Sequence, residues 1–295
     1  MILSRRELLL AGVSAAALAV GGPVAAGQMR TRAIPRTGEE LPVIGMGTWR
    51  TFDTSERSSL IEVVRTLLGG GGKAIDSSPM YGRSEITVGE VLQDLGATRR
   101  AFLATKVWTS GREEGIAQMR ESIQRLGHVD LMQIHNLVDW RTHLGTLRSW
   151  KETGVIRYWG ITHYSLSAFA EMESIVRDEK PDFVQLPYSV GVREAEQRLL
   201  PACASQGVAV LVMRPFEGGS LFADARTRPL PGWAAEIDCT SWAQIFLKFI
   251  LGHPAVTCPI PATSKAAHMA DDVRAGFGRL PDEPMRRRIV KALLG

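Results

Sequence analysis

The chain has few cysteines, little excess charge and no glycine-rich nucleotide-binding fingerprint. Its 295 residues contain three cysteines, Cys203, Cys239 and Cys258, whose odd number and spacing match neither a disulfide framework nor a metal site. We therefore expect small buried thiols and no bound metal. The formal net charge is only +4, which argues against a nucleic-acid partner. No G-x-G-x-x-G pattern follows an apolar run, and this disfavours an open, doubly wound sheet.

The first 26 residues have the composition of an export signal. A twin-arginine pattern begins at Ser4-Arg5-Arg6, an apolar run begins at Leu8, and small residues predict cleavage after Ala26. Such a signal directs a folded protein to the twin-arginine export machinery, so we expect a periplasmic or exported protein. The alternative is an uncleaved membrane anchor, because the apolar run is long enough to be considered as a span. Three glycines and a proline within the run weaken that alternative.

Eight short apolar runs recur through residues 27–295, and helical patterns separate them. Their centres lie near Val43, Ile75, Leu103, Leu131, Trp159, Val184, Val210 and Thr257. Residues 84–96 and 115–127 carry apolar side chains at helical spacing. Buried runs without alternation, separated by helices, indicate parallel strands with crossovers. Eight such units predict a single (β/α)8 TIM barrel over residues 27–295, with residues 29–42 as an N-terminal β-hairpin cap and residues 214–233 as a long loop.

Polar or charged residues end most of these runs. They are Asp76, Lys106, His135, Thr162 with His163, Gln185 and Arg214. Any one of them could be a hydrogen-bonded core residue, but polar residues at six strand ends together are hard to explain in that way because buried charges need partners. The carboxyl ends of barrel strands meet at one mouth, so we expect these side chains to converge there. Asp76 and Lys106 end neighbouring strands and can form an ion pair.

Tyr81 follows Asp76 by five residues, in a loop that contains Gly82. A tyrosine phenol has an ordinary pKa of about 10, and a nearby lysine ammonium favours the phenolate. We therefore expect Lys106 to lower the pKa of Tyr81, so that the phenol can act as a general acid near neutral pH. His135 can donate a hydrogen bond to the same substrate oxygen. Such groups protonate a carbonyl oxygen as negative charge grows on it.

The chain resembles the aldo-keto reductase family over residues 29–280. The resemblance rests on segments in the family's order and spacing: LPVIGMGTW, AIDSSPMYGRSE, LATKVW, DLMQIHN, GVIRYWGITHY and VQLPYS. It implies a barrel that binds a nicotinamide dinucleotide without a Rossmann domain and passes hydride to the carbonyl carbon of a small substrate. It also implies a catalytic tetrad of Asp76, Tyr81, Lys106 and His135, with Tyr81 as the proton donor.

The resemblance further implies where the cofactor and the substrate bind. The nicotinamide end of the cofactor is assigned to Thr162, His163 and Gln185, and Thr48 is also assigned to the cofactor. The pyrophosphate is assigned to the loop from Arg214 through Pro215 to Gly219. The adenosine phosphate end is assigned to Thr263, Ser264, Lys265, His268 and Asp272, where a helix N-terminus suits an anion for its own reasons. The substrate pocket is assigned to Trp49 and Trp108, although each could equally be core or rim.

Three departures from the family pattern bear on the cofactor and the substrate. Met213 and Ala262 stand where many members have an aromatic ring under the nicotinamide and a lysine on the 2′-phosphate. Lys265 and His268 can replace that lysine, so we expect NADP(H), with NAD(H) possible. Residues 281–295 predict one short helix with its arginines on a solvated face. The resemblance implies that members with tight substrate selection use a longer C-terminal loop, so we expect an open substrate pocket here.

Two other functions are compatible with the same fold. One is a non-catalytic, cofactor-binding regulatory subunit, which the intact tetrad disfavours. The other is a Schiff-base aldolase that uses Lys106, which Asp76 disfavours because it should keep the lysine charged.

Overall fold

The computed structural model describes residues 27–225 and 227–295. The predicted signal peptide, residues 1–26, lies outside these residues, as do its predicted cleavage and the alternative of membrane anchoring. Within the described ranges, no helix is both long and apolar enough to cross a membrane.

The core of the fold is one sheet of eight parallel strands that follow one another in chain order. A separate antiparallel pair, β1 (Thr31–Ala33) and β2 (Glu40–Pro42), precedes it. The eight strands are β3 (Met46–Gly47), β4 (Ala74–Asp76), β5 (Phe102–Val107), β6 (Leu131–His135), β7 (Tyr158–Thr162), β8 (Phe183–Pro187), β9 (Ala209–Met213) and β10 (Cys258–Pro259). Each run that the sequence analysis identified therefore contains a strand.

The sheet closes on itself between β3 and β10. Gly45 N donates to Pro259 O at 3.1 Å, and Gly47 N donates to Pro261 O at 3.0 Å. Glycine is required at the first of these positions, because a Cβ on Gly45 would lie 2.8 Å from the Ala74 carbonyl oxygen. The closure confirms the predicted (β/α)8 barrel and shows that the doubly wound open sheet was the wrong alternative.

Helices follow the strands and surround the barrel. They are α1 (Ser58–Gly69), α2 (Ser84–Asp94), α3 (Arg112–Leu126), α4 (Trp140–Glu152), α5 (Phe169–Asp178), α6 (Leu199–Gln206), α7 (Ser220–Ala225), α8 (Trp242–Leu251), α9 (Ala266–Arg274) and α10 (Glu283–Leu294). The predicted loop at 214–233 instead contains α7 and a 3₁₀ turn, Glu217–Gly219, and a second 3₁₀ segment begins at Gly232. The glycines and prolines there interrupt the helices without preventing them.

Side chains of the barrel strands alternate between the interior and the surrounding helices. In β6, Leu131 faces the interior cluster, whereas Met132 and Ile134 belong to the larger core under the helices. The same alternation puts Phe102 and Ala104 of β5 inside. The interior is thus apolar near the amino ends of the strands. Toward the carboxyl ends, the polar residues that end the strands take the place of the apolar ones.

The hairpin of β1 and β2 covers the amino ends of the strands, as predicted. Its Ile34 and Leu41 are buried in the interior cluster. Tyr158, the first residue of β7, donates its phenolic proton to Glu39, and Thr37 Oγ1 lies 3.0 Å from the same phenolic oxygen. The opposite end of the barrel is therefore the open one.

The last helix, α10, is the short helix that residues 281–295 predict, but its arginines do not all face solvent. Arg287 and Arg288 are exposed, whereas Arg286 is 6% exposed and donates to Tyr188 and Glu196 of the segment after β8. The expectation of a wholly solvated basic face was wrong for Arg286, which anchors α10 to the barrel. All three cysteines are buried, as predicted.

Candidate active site

A buried ion pair lies at the carboxyl ends of β4 and β5. Lys106 Nζ donates to Asp76 Oδ2 at 2.6 Å and to the Ser77 carbonyl oxygen at 2.6 Å. The Lys106 side chain is 0% exposed and that of Asp76 is 5% exposed. Burial alone lowers the pKa of Lys106, but the attraction of Asp76 and Tyr81 outweighs burial and the net direction is upward. Lys106 is therefore a fixed cation under the mouth of the barrel.

Tyr81 and His135 lie beside this cation. Lys106 Nζ is 5.0 Å from the centroid of the Tyr81 ring. The Tyr81 and His135 rings meet edge to face, with centroids 5.7 Å apart and planes at 85°. A turn fixes Tyr81, because its N–H donates to Ser78 O at 3.0 Å. The structure thus brings together all four residues of the predicted tetrad.

The expected pKa shift of Tyr81 was wrong in its direction. Burial raises the pKa of the phenol, and Asp76 adds to the rise, while Lys106 lowers it by less than burial raises it. Sequence reasoning considered the cation but could not know how deeply the phenol is buried. Tyr81 is therefore protonated at neutral pH.

His135, the last residue of β6, is a neutral imidazole. Burial is the main cause that lowers its pKa to about 2, and the charge of Lys106 and the proximity of His163 add to it. Its Nδ1 lies 2.9 Å from Ser78 Oγ. Because it is neutral, His135 can donate a hydrogen bond into the mouth but is not a cation there.

The residues assigned to the nicotinamide end lie at the carboxyl ends of β7 and β8. Thr162 Oγ1 donates to Gln185 Oε1 at 2.9 Å, and Gln185 Nε2 is a buried donor with no partner among the described residues. The backbone N–H of Ser165 donates to His163 Nδ1 at 3.0 Å, which leaves the other ring nitrogen of His163 to carry a proton. Thr48 Oγ1 lies 3.1 Å from Asp76 O and is fully buried, so it supports β4.

A cavity of about 340 Å³ extends from this mouth over the ends of β7, β8 and β9. Its lining includes Tyr164, Arg214 and Glu217. The predicted pyrophosphate loop is fastened here, because Gly191 N donates to Glu217 Oε1 at 3.1 Å. Gly218 and Gly219 have φ values of 70° and 103°, which favour glycine. A larger depression of about 410 Å³ near Arg193 contains none of the predicted site residues.

The residues assigned to the adenosine phosphate end gather at the amino end of α9. Lys265 and His268 are exposed there, and in the described chain neither pairs with a carboxylate within 4.0 Å. Thr263 Oγ1 accepts from Lys265 N at 3.1 Å and lies 3.4 Å from His268 Nδ1. Ser264 is exposed beside them, while Asp272 is buried one turn further along. Burial, and secondarily Asp271, raise the pKa of Asp272 to about 8.

The two tryptophans assigned to the substrate pocket lie at the rim. Trp49 follows β3 and is 46% exposed, and Trp108 follows β5 and is 42% exposed. Both tryptophans are therefore rim residues, and the alternative that they belong to the core is excluded. Met213, at the end of β9, packs against the interior cluster, and Ala262 is exposed.

A family model for the aldo/keto reductase family matches residues 43–291 of this chain. The chain belongs to the aldo/keto reductase family. The match spans the barrel from β3 to α10 and contains every residue of the predicted site. The family assignment makes this protein an oxidoreductase by descent.

Two curated proteins resemble the chain over most of its length. Methylglyoxal reductase YeaE of Escherichia coli strain K12 is 27% identical over 252 residues, which cover 82% of this chain and 88% of that protein. The uncharacterized oxidoreductase YtbE of Bacillus subtilis strain 168 is 28% identical over 274 residues, which cover 88% and 92%.

Solved aldo/keto reductases share the fold. The enzyme from Klebsiella pneumoniae in complex with NADP and acetate aligns with a TM-score of 0.76 at 21% identity, over 90% of this chain and 95% of that chain. The holo form of aldo-keto reductase AKR11C1 from Bacillus halodurans aligns with a TM-score of 0.74 at 21% identity, over 90% and 96%.

Sequence reasoning missed three polar residues of the aldo/keto reductase site. Gln133 Nε2 donates to Asp76 Oδ1 at 3.0 Å, so it fixes the oxygen that Lys106 leaves free. Strand alternation could have found Gln133, because it lies two residues before His135 and shares its face. Ser78 contacts His135, and Glu217 holds the pyrophosphate loop through Gly191. Turn geometry brings both side chains into place, and the sequence does not show that geometry.

Proposed function

We propose that this aldo/keto reductase reduces an aldehyde or ketone to the alcohol, with NADPH as hydride source and Tyr81 as proton donor. The observation that carries the proposal is the buried ion pair of Lys106 and Asp76 beside the Tyr81 ring, with Lys106 Nζ 5.0 Å from its centroid. Burying an ion pair carries a desolvation penalty that its Coulomb attraction often does not offset, so the position of this pair indicates a use for its charge.

Each polar group has a distinct task in the proposed reaction. The reduced nicotinamide, when bound, supplies the hydride that adds to the carbonyl carbon. Tyr81 and His135 hold the carbonyl oxygen between a phenolic O–H and an imidazole N–H. Tyr81 then transfers its proton to that oxygen, and Lys106 stabilises the phenolate that remains. Asp76 holds Lys106 in position, and Gln133 holds Asp76.

The residues of this chain fit a nicotinamide dinucleotide phosphate. Gln185 Nε2, which has no partner in the part of the chain that the structure describes, is a donor for the carboxamide oxygen, and a buried donor of this kind is unfavourable unless something accepts from it. Lys265 and His268 offer exposed donors at the amino end of a helix, where a phosphate is favoured. The solved relatives from Klebsiella pneumoniae are complexes with NADP and with NADPH, which supports the same cofactor here.

The aldolase alternative is poorly supported by the geometry around Lys106. A Schiff base needs a neutral amine, but Asp76 and Ser77 O both accept from Nζ and the net pKa shift of the lysine is upward. The regulatory alternative, cofactor binding without turnover, remains the rival that experiment must exclude.

The test is the Tyr81→Phe variant, because it removes the hydroxyl and keeps the ring. With NADPH and a panel of small aldehydes and ketones, we expect turnover to fall by about 10²–10⁴-fold. The affinity for NADPH, measured by fluorescence titration, should stay the same. Tyr158→Phe is the matched control, since it removes a phenol at the opposite end of the barrel and should not change turnover of the folded enzyme.

Two results would contradict the proposal. If Tyr81→Phe reduces a good substrate at the rate of the parent protein, Tyr81 is not the proton donor. If the parent protein binds NADPH but oxidises it with none of the carbonyl compounds, the regulatory alternative becomes the better one. A comparison with NADH in the same assay identifies the preferred cofactor.

A further inference from the structure

Ser78 lies beside His135, and its hydroxyl is within hydrogen-bond distance of the neutral imidazole. Ser78 is 0% exposed, and its Oγ lies 2.9 Å from His135 Nδ1. A neutral imidazole carries one proton, which can be on either nitrogen, and only the tautomer with the proton on Nε2 leaves Nδ1 as an acceptor. The direction of the Ser78–His135 hydrogen bond therefore decides what His135 presents on its other side.

The other contact of the Ser78 hydroxyl indicates that direction. Met80 N donates to Ser78 Oγ at 3.3 Å, so one lone pair of the oxygen is occupied. If His135 Nδ1 also donated to Oγ, the hydroxyl proton would be buried without an acceptor, because no other partner of Ser78 Oγ is found in the described residues. Buried hydroxyls rarely leave their proton unpaired. Donation from the Ser78 hydroxyl to His135 Nδ1 is therefore the favoured direction.

The backbone holds this hydroxyl in place. The segment Ser78-Pro79-Met80-Tyr81 forms a turn closed by the 3.0 Å hydrogen bond from Tyr81 N to Ser78 O. Proline suits the second position of such a turn because its φ is already restricted. One turn therefore positions both Tyr81 and the hydroxyl that contacts His135.

We propose that Ser78 is a positioning residue that holds His135 in the tautomer with its proton on Nε2, so that both His135 and Tyr81 present donors to the substrate oxygen. The low pKa of His135, about 2, supports the requirement that the ring is neutral throughout the working range. The catalytic consequence rests on the proposed function, whereas the tautomer itself does not. Without Ser78, a proton on Nδ1 would leave a lone pair on Nε2, which repels the substrate oxygen.

The experiment measures the tautomer directly. Nitrogen NMR of protein labelled with ¹⁵N in its histidines distinguishes a protonated ring nitrogen from an unprotonated one, and comparison with His135→Asn identifies the His135 signals. We expect His135 of the parent protein to be protonated on Nε2 only. In Ser78→Ala we expect a mixture of the two tautomers, and a fall in kcat of about three- to tenfold, the size expected for one lost net hydrogen bond.

Two further variants separate positioning from packing. Ser78→Thr keeps the hydroxyl and should keep the Nε2 proton and most of the turnover. Ser84→Ala is the matched control, because Ser84 is also buried, lies six residues away and has a hydroxyl without a partner in the described chain. It should change neither the tautomer nor kcat. Binding of NADPH should be the same in all of them.

The inference is overturned if the parent protein has its His135 proton on Nδ1, which needs no variant to observe. It is also overturned if Ser78→Ala keeps the single Nε2 tautomer and the parent kcat. Failure of the proposed reductase function has a different signature. In that case Tyr81→Phe leaves turnover unchanged, or no carbonyl compound is reduced, whatever the tautomer of His135.

Discussion

The buried pair of Asp76 and Lys106 makes a prediction about stability as well as about turnover. The Lys106→Met variant replaces the lysine with a side chain of similar length and no charge. It removes two hydrogen bonds of 2.6 Å, to Asp76 Oδ2 and to Ser77 O. Asp76 then remains buried at 5% exposure, with Gln133 Nε2 at 3.0 Å as its remaining side-chain donor.

The expected loss of stability follows from that uncompensated charge. Removing one partner of a buried ion pair typically lowers the free energy of unfolding by about 3–5 kcal/mol. For a domain of this size, each kcal/mol corresponds to about 2–4 °C in Tm, so we expect a decrease of about 6–20 °C. The double variant Asp76→Asn with Lys106→Met removes both charges and should recover most of the loss. The coupling between the two sites is the difference between these changes.

Two assays are made on the parent protein, both single variants and the double variant. Urea unfolding, monitored by circular dichroism, measures stability, and a separate assay measures turnover with NADPH. Arg57→Met is the matched control, because it breaks exposed ion pairs with Glu90 and Asp94 and should change stability little. Turnover should be lost in Lys106→Met and stay lost in the double variant, since Tyr81 has no cation in either.

Two outcomes would refute this reasoning. An unfolding midpoint of Lys106→Met equal to that of the parent would show that the pair does not hold the barrel interior together. Recovery of turnover in the double variant would show that the cation is not needed beside Tyr81, even if stability behaves as expected.

Three further predictions concern the cofactor, the pH dependence of stability and export. Lys265→Ala should weaken NADPH binding about tenfold but leave NADH binding unchanged, because only NADPH loses a charge-assisted hydrogen bond of about 1.5 kcal/mol; equal weakening in fluorescence titrations would exclude this role. Asp272 has its folded pKa raised to about 8, so the folded state binds the proton more tightly and stability should decline as the pH rises from about 4 to about 8. Asp272→Asn should abolish that decline in urea midpoints measured across this window, and an identical decline in both proteins would contradict the assignment. We also propose export by the twin-arginine route, so replacing Arg5 and Arg6 by lysine should retain the precursor in the cytoplasm on cell fractionation; mature protein outside the inner membrane would count against it.

The barrel could be predicted because its strands have a simple sequence pattern. Each strand is covered by helices on one side and by the barrel interior on the other, so it reads as a short apolar run. The polar interruptions of these runs are informative for the same reason: Asp76, Lys106 and His135 interrupt buried strands. Only function or a partner explains a charge at such a position. The convergence of these three residues could therefore be expected from the chain itself, whereas the tetrad with Tyr81 was implied by the resemblance to the aldo-keto reductase family.

The residues that sequence reasoning missed depend on geometry that no local pattern records. Residues 286–288 are three consecutive arginines, which the sequence does not distinguish. The orientation of α10 about its axis buries only Arg286, which contacts Tyr188 and Glu196, 98 and 90 residues earlier in the chain. The Ser78 hydroxyl reaches His135 because of a turn, across a sequence separation of 57 residues. In both cases the partner lies on a different part of the barrel, and the packing of the fold sets its distance from the side chain.

The direction of the Tyr81 pKa changes how the role of Lys106 should be understood. Because burial keeps the phenol protonated, Tyr81 enters the proposed reaction with its proton in place. The cation acts once the proton has left, when Nζ lies 5.0 Å from the centroid of the phenolate ring, and we take about 5 Å as the separation of the two charges. At an effective dielectric constant of about 20, the attraction at this distance is about 3 kcal/mol, or about 100-fold in the proton-transfer equilibrium. Lys106 therefore stabilises charge that forms during the reaction, and it does not need to ionise Tyr81 beforehand.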